Sequence, residues 1–273
     1  MQLTSYQQTP NPGYAAWLRS IHQPAQSRRT AEKNAAFLLP HLDDARRLID
    51  AGCGAGSITL GLGSAVASGE VIGIDISEES LVSARALTET QGVGNVRFEK
   101  ADVHALPFDD ASFDAAFAHA LLQHVESPKA ALRELRRVLR PGGVIGVADA
   151  DFDGSVLYPT NDSLQRATAI LARTRRHPHI GKQLRELLHD AGFVSTEASA
   201  TANFRGSANL TRLDGDFWAR YFESEEFITH AESSGWASRK EILECAAAWR
   251  AWGEHPGAFS AGFWCQAIGW ASK

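Results

Sequence analysis

Asp50-Ala51-Gly52-Cys53-Gly54-Ala55-Gly56 stands between a short apolar run, Leu48-Ile49-Asp50-Ala51, and a helical stretch, Ile58 to Ala67. Alternate glycines at a strand-to-helix turn allow unusual φ/ψ and let a bound group approach the backbone closely. The spacing separates cofactor classes. A dinucleotide fingerprint needs G-x-G-x-x-G/A. Starting from Gly52 the third place is Ser57, and starting from Gly54 it is Thr59, so both registers fail. A phosphate-binding P-loop fails too, because no Gly-Lys-Ser/Thr follows. What is present is an acid one residue ahead of G-x-G-x-G.

Outward from the loop, strands and helices alternate. Val71-Ile72-Gly73-Ile74 reads as a second strand, Asn95 to Glu99 as a third, Phe113 to His119 as a fourth and Val144 to Ala148 as a fifth. Between them lie helical stretches: Ser80 to Gln91, with Ser77 as N-cap and acids Glu78 and Glu79 in the first turn, and Ser127-Pro128 to Leu139. Continuous apolar strands separated by amphipathic helices mean a parallel sheet covered on both faces. The fold class is therefore α/β, doubly wound. Upstream, Ser27 to Leu39 predicts a helix ending at Pro40. Downstream, Leu164 to Arg176, Lys182 to Asp190, Phe217 to Gly235 and Arg239 to Trp252 read as helices. Phe193 to Ala200 and Phe259 to Trp270 read as late strands.

Two further acids extend the signal. Asp75 ends the second strand, roughly two dozen residues past the glycines, where a carboxylate accepts hydrogen bonds from ribose hydroxyls. Asp102 follows the third strand in Lys100-Ala101-Asp102-Val103. Then come Phe113-Asp114-Ala115-Ala116-Phe117-Ala118-His119, Leu122-Gln123-His124-Val125 and Arg137-Val138-Leu139-Arg140-Pro141-Gly142-Gly143. Together these resemble the class I S-adenosylmethionine-dependent methyltransferases, strongly over about residues 37–150, and in particular their menaquinone/ubiquinone-biosynthesis-like small-molecule branch. The preface Arg28-Arg29-Thr30-Ala31-Glu32-Lys33-Asn34 and the tail Ala247-Ala248-Trp249-Arg250-Ala251-Trp252 look like those of actinobacterial and fungal members.

The resemblance implies a Rossmann-like seven-stranded sheet in a single domain over 1–273. Residues 1–40 would form N-terminal lid helices, 41–150 the cofactor core, and 151–273 a helical cap with the C-terminal strands. It implies S-adenosyl-L-methionine as cofactor, held by Gly52, Cys53, Gly54, Gly56, Asp75, Ile76, Asp102, Val103, Ala118 and His119. Asp75 would hold the ribose, Asp102 and Val103 the adenine, and Ala118 and His119 the sulfonium region. The expected reaction moves the cofactor's methyl group to an O, N or C nucleophile of a small molecule, in secondary metabolism. The alternatives are pericyclic or isomerising chemistry on a retained cofactor, or non-enzymatic binding.

The catalytic residues are open. His119 and His124, at and just past the end of the fourth strand, are the candidate general bases. Against this, His119 lines the cofactor pocket through its backbone in the family, and His124 can pack on Leu122–Val125. Asp50 is expected to hydrogen-bond the glycine-loop backbone rather than the cofactor. Asp149-Ala150-Asp151-Phe152-Asp153-Gly154 mimics the start of a calcium loop, but Thr160 occupies the place of the bidentate acid. Asp149 or Asp151 could instead touch the acceptor. His177-Pro178-His179 has no partner at zinc spacing, and no metal is expected. Arg28 could reach the methionyl carboxylate or a substrate anion. The many C-terminal aromatics, Trp218, Tyr221, Trp249, Trp252 and Trp264 among them, supply core and an apolar acceptor pocket.

Composition sets the outer limits. The chain has 273 residues, 44% apolar and 22% charged, which excludes disordered and fibrous classes. A net charge of −5 without a basic block argues against nucleic acid as partner. No apolar run reaches the roughly 18 residues of a membrane span. Cys53, Cys245 and Cys265 are odd in number and far apart, which fits a reducing compartment. The expected location is cytoplasmic, with a homo-oligomer possible.

Overall fold

The protein is described here by a computed structural model covering residues 29–272. Its centre is a mixed seven-stranded sheet in the order β3-β2-β1-β4-β5-β7-β6. The strands are β1 (Arg47–Ala51), β2 (Glu70–Asp75), β3 (Val96–Lys100), β4 (Phe113–His119), β5 (Leu139–Tyr158), β6 (Phe193–Arg205) and β7 (Phe259–Ala271). β1 pairs in parallel with β2 and β4, β2 with β3, and β4 with β5. The chain builds β1, β2 and β3 outward on one side, then returns to lay β4 on the other side of β1. That reversal makes β1/β4 the switch point, where a crevice opens beyond the carboxyl ends of the strands.

The helices are α1 (Ala31–Asn34), α2 (Ser57–Ala65), α3 (Glu78–Gln91), α4 (Pro128–Val138), α5 (Asp162–Arg173), α6 (Leu184–Asp190), α7 (Ala208–Glu223), α8 (Glu225–Ser233) and α9 (Arg239–Glu254). Ser77 and Ser127 cap α3 and α4 by accepting from the N–H groups of Ser80 and Ala130. Arg137, near the end of α4, ties down the β3–β4 connection. Its Nη1 donates to the carbonyl of Phe108 at 2.8 Å and to Asp110 at 2.6 Å, and its Nη2 donates to the carbonyl of Leu106 at 3.1 Å.

The chain divides into two compact units. One comprises, among the described residues, 29–151, 179–201 and 264–272. Its strands are near-continuously buried, and two apolar clusters form its core. One contains Ile49, Ile72, Phe113, Leu135, Ile145 and Phe193, and the other Leu38, Leu48, Leu62, Val71, Phe98 and Phe117. The second unit comprises, among the described residues, 152–178 and 202–263. In it α5, α7, α8 and α9 enclose Leu164, Tyr221, Phe222, Phe227, Ile242 and Trp252. α7 and α9 approach so closely that a Cβ on Gly215 would meet the Cα of Gly253 at 2.8 Å. Glycine is required there by contact, not by turn geometry.

Four expectations change. The helix over 27–39 is only the single turn α1, followed by a 3₁₀ turn at Leu39–His41; residues 27 and 28, Arg28 included, lie outside the described residues, as does most of the 1–40 lid. The helix over 217–235 begins at Ala208 and breaks at Ser224, whose side chain accepts from Phe227 N–H and starts α8. β6 runs on to Arg205. β5 is far longer than Val144–Ala148, because the calcium-like stretch Asp149–Gly154 continues as extended strand. At its start the register with β4 shifts between Phe113 and Ala115, where Gly143 lies so close to Asp114 that a Cβ would come within 2.9 Å of its carbonyl oxygen.

Candidate functional site

The glycine loop turns through three left-handed residues, Gly52 (φ 72°), Gly54 (φ 54°) and Gly56 (φ 80°). Their reasons differ. A Cβ on Gly52 would meet Leu121 Cδ1 at 2.8 Å across the β1/β4 switch point, and one on Gly56 would meet Phe98 Cζ at 2.8 Å. Both are thus demanded by the fold's own packing as well as by φ. The N–H groups of Gly52 and Cys53 donate to the carbonyl of Ile74, and Gly54 N–H donates to Asp75 Oδ2 at 3.0 Å.

Asp75 therefore braces the loop from the neighbouring strand. Its Oδ1 accepts from Ser77 N–H at 2.8 Å, leaving one lone pair on each oxygen for a ligand. Beside it Ile76 is 68% exposed, an apolar side chain held out at a strand end. Asp102 is exposed as well, and Val103 is buried in the core. The sequence reading missed Asp102's partner. His104 Nδ1 lies 2.7 Å from Asp102 Oδ1, and His104 Nε2 accepts from Ser127 N–H at 3.3 Å. Together these bonds place the imidazole proton on Nδ1 and orient Asp102. The signal was a histidine two residues from an acid.

Asp50 is buried and accepts from Thr59 Oγ1 at 2.6 Å, one turn into α2. Burial pushes its carboxyl up to about 7, against the Thr59 hydrogen bond. The same burial, with the charges of Asp50 and Asp75, raises the half-buried Cys53 thiol, so it is no nucleophile.

A second set of groups lies at the ends of β4, β5 and β7. His119 is 7% exposed and stacks on Trp264 with ring centroids 4.4 Å apart. Burial, and secondarily the Arg29 charge, bring it down to about 3. Asn34 Nδ2 lies 3.1 Å from His119 Nε2, while Asn34 Oδ1 accepts from Thr30 N–H at 3.1 Å. The Arg29 guanidinium sits over Trp264, 5.3 Å from the ring centroid. Asp149 is fully buried, and its oxygens accept from the N–H groups of Leu122 and Gln123. Ala120, directly after His119, is forced to φ 57°, a strained conformation of the kind that gathers at functional sites. His124 is exposed on the turn that follows. Of the two candidate bases the fold buries one and leaves the other at the surface. Trp264 is one of the aromatics expected to supply core or an acceptor pocket, whereas Arg29 and Asn34 are members to which sequence reasoning gave no role of their own. Asp151 accepts from Lys182 N–H at 3.0 Å, a bond within the fold.

The left-handed glycine loop thus lies at the switch point, braced by Asp75 from the next strand, with exposed Ile76 and Asp102 beyond the ends of β2 and β3. Residues 42–192 match the methyltransferase domain family. The chain is 30% identical over 253 residues to an uncharacterized methyltransferase of Schizosaccharomyces pombe, covering 88% of this chain and 90% of the relative. It is 32% identical over 198 residues to an O-methyltransferase of Penicillium expansum, covering 70% and 69%. Its fold matches the crystal structure of a putative methyltransferase from Bacillus halodurans with a TM-score of 0.61 and 18% identity, over 89% of this chain and all of the other. The chain belongs to the methyltransferase family. It is an S-adenosylmethionine-dependent methyltransferase with a small-molecule acceptor, and among the described residues no helix is long and apolar enough to cross a membrane.

Proposed function

We propose that the chain methylates an oxygen nucleophile of a small molecule, without an essential general base among the two histidines. The observation that carries this is His119. A catalytic base works best with a pKa near the operating pH, and burial holds His119 at about 3, neutral and weakly basic. When bound, S-adenosylmethionine supplies a methyl group already activated by the sulfonium. The chain's own residues then have to bind, align and desolvate, and alignment can supply roughly 7–11 kcal/mol of a barrier. In this reading Gly52, Cys53, Gly54 and Gly56 admit the methionyl part and ribose, and Asp75 holds the ribose hydroxyls. Ile76, Asp102 and Val103 hold the adenine, and Ala118 and His119 border the sulfonium. The exposure of Ile76 and Asp102 supports this assignment, since both offer unspent surface at strand ends. The O-methyltransferase relative supports oxygen as the acceptor atom.

A cytoplasmic setting accords with three free cysteines, and a net charge of −5 without a basic block speaks against nucleic-acid partners. The test is a metabolite screen with methyl-labelled S-adenosylmethionine. The expected outcome is label recovered in an ether or ester product. Label only on nitrogen or carbon would overturn the oxygen assignment.

A further inference from the structure

The acids assigned to the cofactor lie on the β1–β2–β3 half of the sheet, whereas Arg29, His119, Asp149 and Trp264 gather on the β4–β5–β7 half. Adjacent strands are about 4.8 Å apart, so this second group begins at the switch point on β4 and extends away from β2 and β3.

The hydrogen-bond chain fixes the chemistry His119 presents. Because Thr30 N–H occupies Asn34 Oδ1, the end of the amide facing His119 is Nδ2, a donor. Nε2 therefore accepts, and the imidazole proton resides on Nδ1. That Nδ1 is buried and has no partner among the described residues. An unmet buried donor costs about 1–3 kcal/mol, and few are tolerated unless a ligand or water answers them. The guanidinium of Arg29 is in a similar condition. It rests on Trp264 and makes no hydrogen bond among the described residues. Burial lowers its pKa, against the raising field of Asp149. Asp149 is the opposing charge, but its oxygens are taken by Leu122 and Gln123 N–H. Burial lifts it to about 7, so only part of its charge remains at neutral pH. One guanidinium and one N–H donor, both without an oxygen partner among the described residues, flank a single indole.

We propose that Arg29 and the Nδ1–H of His119 form a subsite that receives an anionic oxygen of the methyl acceptor, making the acceptor an acidic hydroxyl, a phenol or an enol. The inference rests on the methyltransferase reading and narrows its substrate class. The acceptor's proton goes to solvent. The oxyanion's electron pair forms the new O–CH3 bond as the S–CH3 bond breaks, and that pair stays on sulfur, leaving a neutral thioether. His119 is then a donor that positions the oxygen, and no side chain has to take a proton. Trp264, beside both groups, is only half-buried.

The same chemistry could be met by the cofactor's own carboxylate, so the experiment has two arms. Calorimetry with S-adenosylhomocysteine compares wild type with Arg29→Gln, and the expected affinities agree within about threefold. Wild type already saturated with S-adenosylhomocysteine is then titrated with 4-nitrophenol, read by phenolate absorbance, and with neutral 4-nitroanisole. The expected result is a preference for phenolate over phenol of about tenfold or more, equal to about one unit in the bound phenol's pKa. 4-Nitroanisole should bind correspondingly weakly, and in Arg29→Gln the preference should fall to within about threefold of none. The wild-type comparison stands even if the variant folds poorly. A tenfold loss of S-adenosylhomocysteine binding in Arg29→Gln would assign the cation to the cofactor's carboxylate and overturn the proposal. So would equal binding of phenolate and 4-nitroanisole, or no binding of either. Failure of wild type to bind S-adenosylhomocysteine would instead strike the residue roles under the proposed function.

Discussion

At the scale of single residues, the site is a set of groups whose charge states burial has moved in opposite directions. Asp50 has a carboxyl near 7, against an ordinary value near 3.9. Between those values the folded chain keeps a proton that the unfolded chain has released, so Asp50 makes stability fall as pH rises from about 4 to 7, then level off. His119, brought down to about 3 from 6.5, does the reverse: acid costs stability once the unfolded chain starts to bind a proton the folded form refuses. Comparing Asp50→Asn with wild type isolates the first effect. The stability gap between the two should change by up to roughly 4 kcal/mol across pH 4–7, read by urea unfolding; parallel pH curves would show that Asp50 ionises freely. Asp75→Ala removes the acceptor of two backbone amides, those of Gly54 and Ser77, as well as the proposed partner of the ribose. Cofactor affinity should fall by about 1–3 kcal/mol, and calorimetry indistinguishable from wild type would remove the ribose role. His124 is exposed, and His124→Ala should lower single-turnover methyl transfer by less than the roughly 100-fold typical of a lost base. A larger loss with cofactor affinity intact would make proton abstraction obligatory.

At the scale of elements, turns are held by long-range contacts as much as by their own residues. The glycine loop is closed by Leu121 from beyond β4 and by Phe98 from β3. Arg137 illustrates the same point at the β3–β4 connection. In sequence it is one letter of a motif, and in the structure its guanidinium closes the β3–β4 connection onto α4 through two carbonyls and two carboxylates. Hydrogen bonds to a charged group contribute about 1.5–3 kcal/mol each, less where solvent competes. Arg137→Leu should therefore lower stability by about 2–3 kcal/mol in denaturant melts, and Arg137→Lys should recover only part, because an ammonium cannot reproduce the fork. No change in the melting midpoint would mean the bonds are exchanged freely for water.

At the scale of the whole molecule, two cores of different kinds are threaded by one chain. The sheet's core is aliphatic and strand-built. That of the second unit is aromatic and helical, with Tyr221, Phe222 and Phe227 in mutual ring contact at 4.7–5.9 Å. Phe222 is fully buried there, and Phe222→Ala should cost about 3–5 kcal/mol. The folded fraction should bind S-adenosylhomocysteine as wild type does, because the proposed cofactor residues belong to the other unit. Loss of cofactor affinity in protein shown to be folded would mean the two cores are energetically coupled.

The order of β1 to β5, the loop between β1 and α2 and the acids at Asp75 and Asp102 were legible in the sequence alone. They depend on local patterns: apolar runs, capping serines, glycine spacing and the residue that ends each strand. The reading faltered where neighbours distant in sequence decide. Asp149–Gly154 looks like a loop but is drawn out as β5 by its sheet partners, and the 217–235 helix breaks where Ser224 finds an amide to cap. The Arg29–Asn34–His119–Trp264 group was invisible for the same reason. Its members are spread over more than two hundred residues and meet only because β7 returns to lie beside β5. Residue type could nominate His119 as a base. Only the tertiary structure, by burying the ring and setting Asn34 against Nε2, made it a neutral donor.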